Sequence, residues 1–446
     1  MSRRLAGGGV AAVSVALVAV AVRVHNAFRY PPDWGFDATF NWRYIYRLTE
    51  DGRLPHPAAG WSTADPPLFF AVAAALMKGS GFQLVLIPLL NTLIGFGIVV
   101  LAVRLVQRAD PTNSRRALLA GSLLLFLPAH IHMSAMVSEE MGVAFLTSLV
   151  VFALATTGGA EAGFRLGLRR MAGVGLAAGL AALTKLTGVL AAATAVASIA
   201  LDGVRRAELR RSAAAIALLL AVAFASGGWY YARNRALYGY FQPFGLPAHQ
   251  RMFEMPPGQR GILDFVRIPA STFTHPQLLD PDLLRSVWGS TYVTVWFDGH
   301  RYFLPRDSRA VDRLGGLTLL LALLPTIAFA VGAGRGARRA WRSPGTPDTP
   351  LLLLTAFVLS SYALYNWQNP WFVVVKGTSL LALCLPFAFY ASETLDRWMQ
   401  ASRRSARALW IVLGLLAIAV VLSGTFDLVF EKTEVSGLPW QTPGSP

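Results

Sequence analysis

The chain has 446 residues, of which 54% are hydrophobic and only 14% charged, with a formal net charge of +16. A soluble domain carries about 25% charged residues, so the composition excludes an ordinary soluble protein, and the single cysteine, Cys384, excludes an internal disulfide or a cysteine metal cluster. The positive charge is not a nucleic-acid footprint: the arginines fall in short gaps between alternate apolar runs, the positive-inside pattern of a multi-pass membrane protein.

The first apolar run, about 6–27, follows MSRR and reads as an uncleaved anchor with a cytoplasmic N-terminus. Residues 28–80 then form the first extracytoplasmic loop, far longer than a chain reversal needs. Within it, PPLFFAVAAALMK at 66–78 is too short to span and reads as a juxtamembrane helix with proline at its start. Further crossings are expected at about 82–103, 117–131 and 141–156. Residues 171–200 carry Lys185 in their middle and read as two short helices with an outer turn, because a lysine inside one long span would cost several kcal/mol. A span at 213–231 ends in GWYYARNRALYG, aromatics suited to the interface. The large outer loop 232–314 is expected to hold amphipathic helices near 262–268 and 281–290. Runs at 316–334, 351–366, 377–392 and 409–425 complete about eleven transmembrane helices. The expected organisation is an all-α polytopic membrane module over 1–425 with a short extracytoplasmic tail at 426–446.

On this topology the costly polar residues gather on the outer side: Asp37, Glu139 and Glu140, Lys185, Arg233 and Arg235, and Lys376. Opposite charges meeting at one membrane face are the raw material of an anion site beside a carboxylate base. Each also has an ordinary reading. Asp37 suits a solvated loop or a helix cap. Glu139 and Glu140 suit a helix N-terminus capped by Ser138. Lys185 and Lys376 suit snorkelling at the interface, and Arg233 and Arg235 suit headgroup contacts. His56, His130 and His132 have no metal-site spacing; His130 and His132 are placed to line the outer cleft. No metal or other cofactor is expected.

The stretch WGFDATFNWRYIYRLTEDGRLPHPAAGWSTADPPLFF resembles the first extracytoplasmic loop of the GT-C glycosyltransferases, membrane enzymes that take a sugar from a polyprenyl-phosphate carrier and include protein mannosyltransferases and lipid A aminoarabinose transferases. The acids in MSAMVSEEMG, LTKLTG around Lys185, GWYYARNRALYG and VKGTSLLALCLPF extend the likeness in the same order. The resemblance implies a GT-C-like bundle with juxtamembrane helices in its first loop, a catalytic acid at Asp37 that activates the acceptor, and inversion at the anomeric carbon. It implies donor-phosphate binding by Arg233, Lys185 and Lys376. Glu139, Glu140, Asp65 and Asn41 fall where the acceptor would be positioned or a second acid supplied. Two positions depart from the pattern: Asn41 stands where many relatives have histidine, and Asp65 where many have histidine or glutamine. The implied partners are the lipid-linked sugar donor, the bilayer, and a lipid, cell-envelope glycan or protein acceptor, with no nucleic acid, at a cell membrane. A transporter or flippase of a lipid-linked precursor, or an inactive relative with an assembly role, is the alternative.

Overall fold

Apolar runs become helices throughout, and among the described residues there is no strand. The computed structural model describes residues 2–156, 167–243, 246–343 and 346–432; most of the expected tail, 433–446, lies outside the described residues. The helices are α1 (Ser2–Arg29), α2 (Ala38–Asp51), α3 (Leu68–Ser80), α4 (Leu86–Ala109), α5 (Ser114–Leu125), α6 (Pro128–Ala135), α7 (Glu140–Ala155), α8 (Leu168–Thr184) and α9 (Val189–Arg205). They continue with α10 (Leu209–Ala223), α11 (Trp229–Tyr238), α12 (Ser271–Thr274), α13 (Pro281–Arg285), α14 (Val287–Trp296), α15 (Arg309–Arg342), α16 (Asp348–Gln368), α17 (Cys384–Ala401) and α18 (Arg403–Gly424).

Eight of these segments are long and apolar enough to cross a bilayer, and α5 with α6 makes a ninth if that pair, bent by 53°, is one span. The remaining two of the eleven expected runs are α7 and α8, with 16 and 17 residues. At 1.5 Å per residue they rise roughly 25 Å, short of a hydrocarbon core of about 30 Å. Helix α7 is packed among α4, α8, α9 and α16, so protein covers much of it. The first loop folds as expected into short helices, with α3 as its last element.

The chain breaks at Lys185, whose backbone is extended, and α9 turns back along α8. Gly188 makes the close turn possible. A Cβ there would lie 2.1 Å from the Ala181 carbonyl, so any side chain would pry the two helices apart. Helix α8 also meets the chain after α10 at near-contact distance, where five residues, Phe224–Gly228, loosen into a π turn before α11 begins.

Charged loops collect at one end of the bundle. Arg339, near the end of α15, grips Asp348 through two contacts of 2.8 and 2.9 Å and Glu393 on α17 through two more of 2.8 and 2.9 Å. Arg116 on α5 lies 3.7 Å from Glu393, and Arg115 pairs with Asp396 at 2.5 Å. These residues lie on helices beside the loops that the arginine pattern assigns to one side. The candidate site lies at the other end of α17 and its preceding turn, roughly 25 Å away by helical rise.

Candidate functional site

Asp37 occupies the capping position of α2, yet its side chain caps nothing. Its backbone is left-handed, φ 54°, which aspartate and asparagine tolerate better than most residues. Gly35, at φ 108°, lets the preceding turn lie against Met136, whose sulfur would stand 2.6 Å from a Cβ. Turned away from its helix, the Asp37 carboxylate accepts a 2.8 Å bond from the Lys376 ammonium, 339 residues later. The Asp37 side chain is 34% exposed and that of Lys376 20%, so water and solutes reach the pair.

Lys376 is held from behind. The Gly377 amide donates to the Thr294 hydroxyl on α14 at 2.8 Å, and a Cβ at 377 would lie 2.5 Å from the Val295 nitrogen. The ammonium sits 5.1 Å from the centre of the Phe36 ring, within cation–π range. Buried His300 packs edge-on against Phe36 at 4.6 Å; burial holds its imidazole down at about 3, so it is neutral.

The second ion cluster lies beside the first. Lys185 donates to Glu139 at 2.5 Å and to Glu140 at 2.8 Å. Both acids are nearly buried, and the second Glu139 oxygen has no hydrogen-bond partner among the described residues. The Ser138 hydroxyl accepts from the Glu140 amide at 3.3 Å, but the capping position of α7 is Glu139, whose side chain makes no capping bond; the acids stand at a helix start without the expected serine cap, alongside the ion pair. What fixes them is a pair of asparagines. The Asn91 amide donates to the carbonyls of Met136 and Ser138, at 2.9 and 3.1 Å, while the Asn41 amide donates to the one between, Val137, at 2.9 Å. The Asn41 carbonyl accepts from Ser62 at 2.7 Å, so one end of its side chain braces the first loop internally while the other ties it to the 136–138 segment.

Asp65 differs from the other acids. No described side chain pairs with or hydrogen-bonds its carboxylate, although Lys185, Glu139, Asp37 and Lys376 all lie within electrostatic reach. Burial, reinforced by the Glu139 and Asp37 charges, pushes its carboxyl up to about 8 against the pull of the lysines. Asp37 goes the other way. Burial alone would raise it, but the Lys376 charge and hydrogen bond, with help from Lys185 and the Trp61 side chain, bring it below the usual carboxylate range. Two carboxyls of one cluster are thus driven apart in protonation, as in sites that need one ionised and one neutral acid.

Helix α11 closes the Asp65 side. The Tyr230 hydroxyl donates to the Ala64 and Asp65 carbonyls, each at 3.2 Å. Tyr230 and Tyr44 each lie within electrostatic reach of both Asp65 and Arg233. Arg233 makes no ion pair among the described residues; it bonds Asn234 at 3.4 Å and lies 5.7 Å from the centre of the Tyr238 ring. Arg235 points elsewhere, bonding the Gly239 carbonyl and standing near Phe241.

The residues singled out in the sequence therefore converge, with Arg233 at the rim, Asn41 behind the site, and Asp37, Asp65, Glu139, Glu140, Lys185 and Lys376 inside it. Sequence reading missed Tyr365, within reach of Lys376, Lys185, Asp37 and Asp65, as well as Trp61, His300 and Asn91. Of these only Asn91 left a signal, an asparagine buried in an apolar helix. His130 and His132 do not line a cleft. They are buried, one bonded to Arg23 at 2.9 Å and the other stacked on Phe303 at 4.4 Å.

No family model and no curated protein matches the chain. Solved structures do. The Archaeoglobus fulgidus oligosaccharyltransferase tethered to an acceptor peptide containing the NVT sequon aligns with 96% of this chain and 56% of its own, at 15% identity and a TM-score of 0.56. The archaeal oligosaccharyltransferase AglB from Archaeoglobus fulgidus, in complex with an inhibitory peptide and a dolichol-phosphate, aligns with 94% of this chain and 56% of its own, at 14% identity and a TM-score of 0.52. ArnT from Cupriavidus metallidurans aligns with 94% of this chain and 78% of its own, at 16% identity, but its TM-score of 0.43 is too low to bear on function. The chain spans just over half the length of the oligosaccharyltransferases it matches. Its architecture is the GT-C fold: all-α, multi-pass and membrane-embedded.

Proposed function

We propose that this protein transfers a sugar from a polyprenyl-phosphate-linked donor to an acceptor on the extracytoplasmic side of a cell membrane. The observation that carries the reading is the ion pair of Asp37 with Lys376, joined by Asp65, Glu139, Glu140 and Lys185 from three other parts of the chain. That a protein of this fold has been seen with a dolichol-phosphate supports a lipid-phosphate donor. The arginine-rich stretches that carry Arg115, Arg116 and Arg339, away from the site, support an outward-facing site, with the N-terminus in the cytoplasm and the membrane a plasma or inner membrane. Functionally, 1–425 acts as one catalytic module, its first loop supplying the base and 232–314 covering the outer face.

In the reaction, an acceptor hydroxyl oxygen attacks the anomeric carbon from the side opposite the phosphate. Its proton passes to the Asp37 carboxylate, the bond from sugar to phosphate oxygen breaks, and polyprenyl phosphate leaves with the electron pair. The sugar is inverted. Asp37 suits this role because it is ionised and reachable. Glu139, Glu140 and Asp65 orient acceptor hydroxyls, Asp65 as a neutral donor below about pH 8.

The leaving phosphate needs cations. Lys185 is engaged by two carboxylates and Lys376 by one, whereas Arg233 has none, which ranks Arg233 first as the phosphate ligand and Lys376 second. An arginine fork suits phosphate oxygens held at the bilayer edge. Asn41 acts indirectly, by holding the first loop against the 136–138 segment. The test is transfer of label from a radiolabelled polyprenyl-phosphate sugar by membranes carrying the protein. Wild type should consume donor and folded Asp37→Asn should not; full activity in that variant would end the reading.

A further inference from the structure

One surface lies outside this chemistry. In the outer loop, Ile262 is 74% exposed, Leu263 75%, Val266 69% and Ile268 56%. Four large aliphatic side chains within seven residues would be a liability on a surface facing water. Their outward direction is built in. The Arg260 guanidinium donates to the Leu284 and Arg285 carbonyls, each at 3.3 Å, and the Ser286 hydroxyl donates to the Arg267 carbonyl at 2.6 Å. The Asp264 carboxylate accepts from the Gly261 amide at 2.8 Å and from Arg285 at 3.3 Å. A frame tied at both ends holds the short helical turn Ile262–Phe265 with its apolar side chains out.

The patch continues the exposed face at the end of a spanning helix. The Phe265 ring lies 5.8 Å from Trp367, in the last turn of the spanning helix α16, where Leu364 and Trp367 are themselves half exposed. Tryptophan at the end of a span marks the interface. On the other edge Arg267 and Asp282 pair at 3.3 Å, both well exposed, giving the segment a watery margin.

We propose that residues 262–268 form a wedge that inserts into the outer boundary of the bilayer beside α16, its partner being lipid acyl chains. The segment does not span. It rests in the leaflet on the same side as Lys376, as amphipathic interfacial elements do at a depth of about 5–10 Å. This inference needs only the fold and the membrane, so it stands or falls separately from sugar transfer.

The full chain suits a labelling test, because its one cysteine, Cys384, is buried. Leu263→Cys and Val266→Cys, each carrying a nitroxide, are reconstituted in phosphatidylethanolamine–phosphatidylglycerol vesicles, with Asp282→Cys for comparison. Power saturation with oxygen and with a water-soluble nickel chelate should show both wedge sites favouring oxygen and the 282 site favouring nickel. Nickel access at 263 and 266 equal to that at 282 would overturn the proposal in favour of a water-exposed loop. Exclusion of both reagents would overturn it in favour of a covering protein.

Discussion

The two ends of the bundle carry ion clusters of similar residue types but unlike balance. At the arginine-rich end, Arg339 makes four contacts to Asp348 and Glu393, Arg116 approaches Glu393, and Arg115 and Asn113 share Asp396. Each buried carboxylate has a cation of its own. At the other end four carboxylates meet two lysines, one acid is unpaired among the described residues, and Arg233, which makes no ion pair among them, stands at the rim. A satisfied network fixes helices in place. An unbalanced one that water can reach has unfilled valences for a ligand, and functional sites are where such imbalance collects.

Breaking the contrast should have opposite signatures at the two ends. Asp37→Asn is expected to lower transfer by about 10²–10⁴-fold, measured with labelled donor, while its melting temperature in detergent stays near wild type. Arg339→Met should do the reverse. It strands Asp348, whose one ion-pair partner among the described residues is Arg339, while Glu393 keeps Arg116 and Arg397; the cost is about 3–5 kcal/mol, read as a lower melting temperature. If Arg339→Met melts like wild type, the network at the arginine-rich end is not a brace.

Smaller effects sharpen the comparison. Arg233→Met should raise the donor KM by roughly 10–100-fold, the worth of a charge-assisted bond to phosphate, with little change for the acceptor. Asp65→Asn probes protonation through stability. The folded carboxyl titrates at about 8 and the unfolded one near 3.8, so between those values the folded state holds a proton that the unfolded state has lost. Wild-type stability should therefore fall as pH rises from about 4 to about 8. Asp65→Asn should lose that part of the decline, its melting curve matching wild type at low pH and rising above it at pH 9. Parallel profiles for the two proteins would contradict the assignment.

Much of this was legible before any coordinates. Apolar runs against a hydrocarbon thickness gave the helices, Lys185 at a break gave the α8–α9 turn, and the density of the first loop drew attention to Asp37. The pairings were not legible. Asp37 meets Lys376 rather than Lys185 because Gly377 seats its loop on α14, a contact with no sequence pattern. Asn41 looked like a site residue but is spent on two loops, since an amide has the same composition whether it faces a ligand or a backbone. The inner arginines read as topological markers alone; that Asp348, Glu393 and Asp396 converge on them depends on helix rotation, which hydropathy leaves undetermined.

The left-handed backbone at Asp37 has a consequence for how this protein can be lost. Most side chains at that position would strain the turn by about 1–2 kcal/mol, and cells would see less protein. Asparagine and glycine accept the same conformation, and each lies a single base change from any aspartate codon. A chain carrying either would be made, inserted and stable, and on the reading proposed above would transfer nothing. Abundance in the membrane is therefore a poor proxy for function in natural variants of this gene.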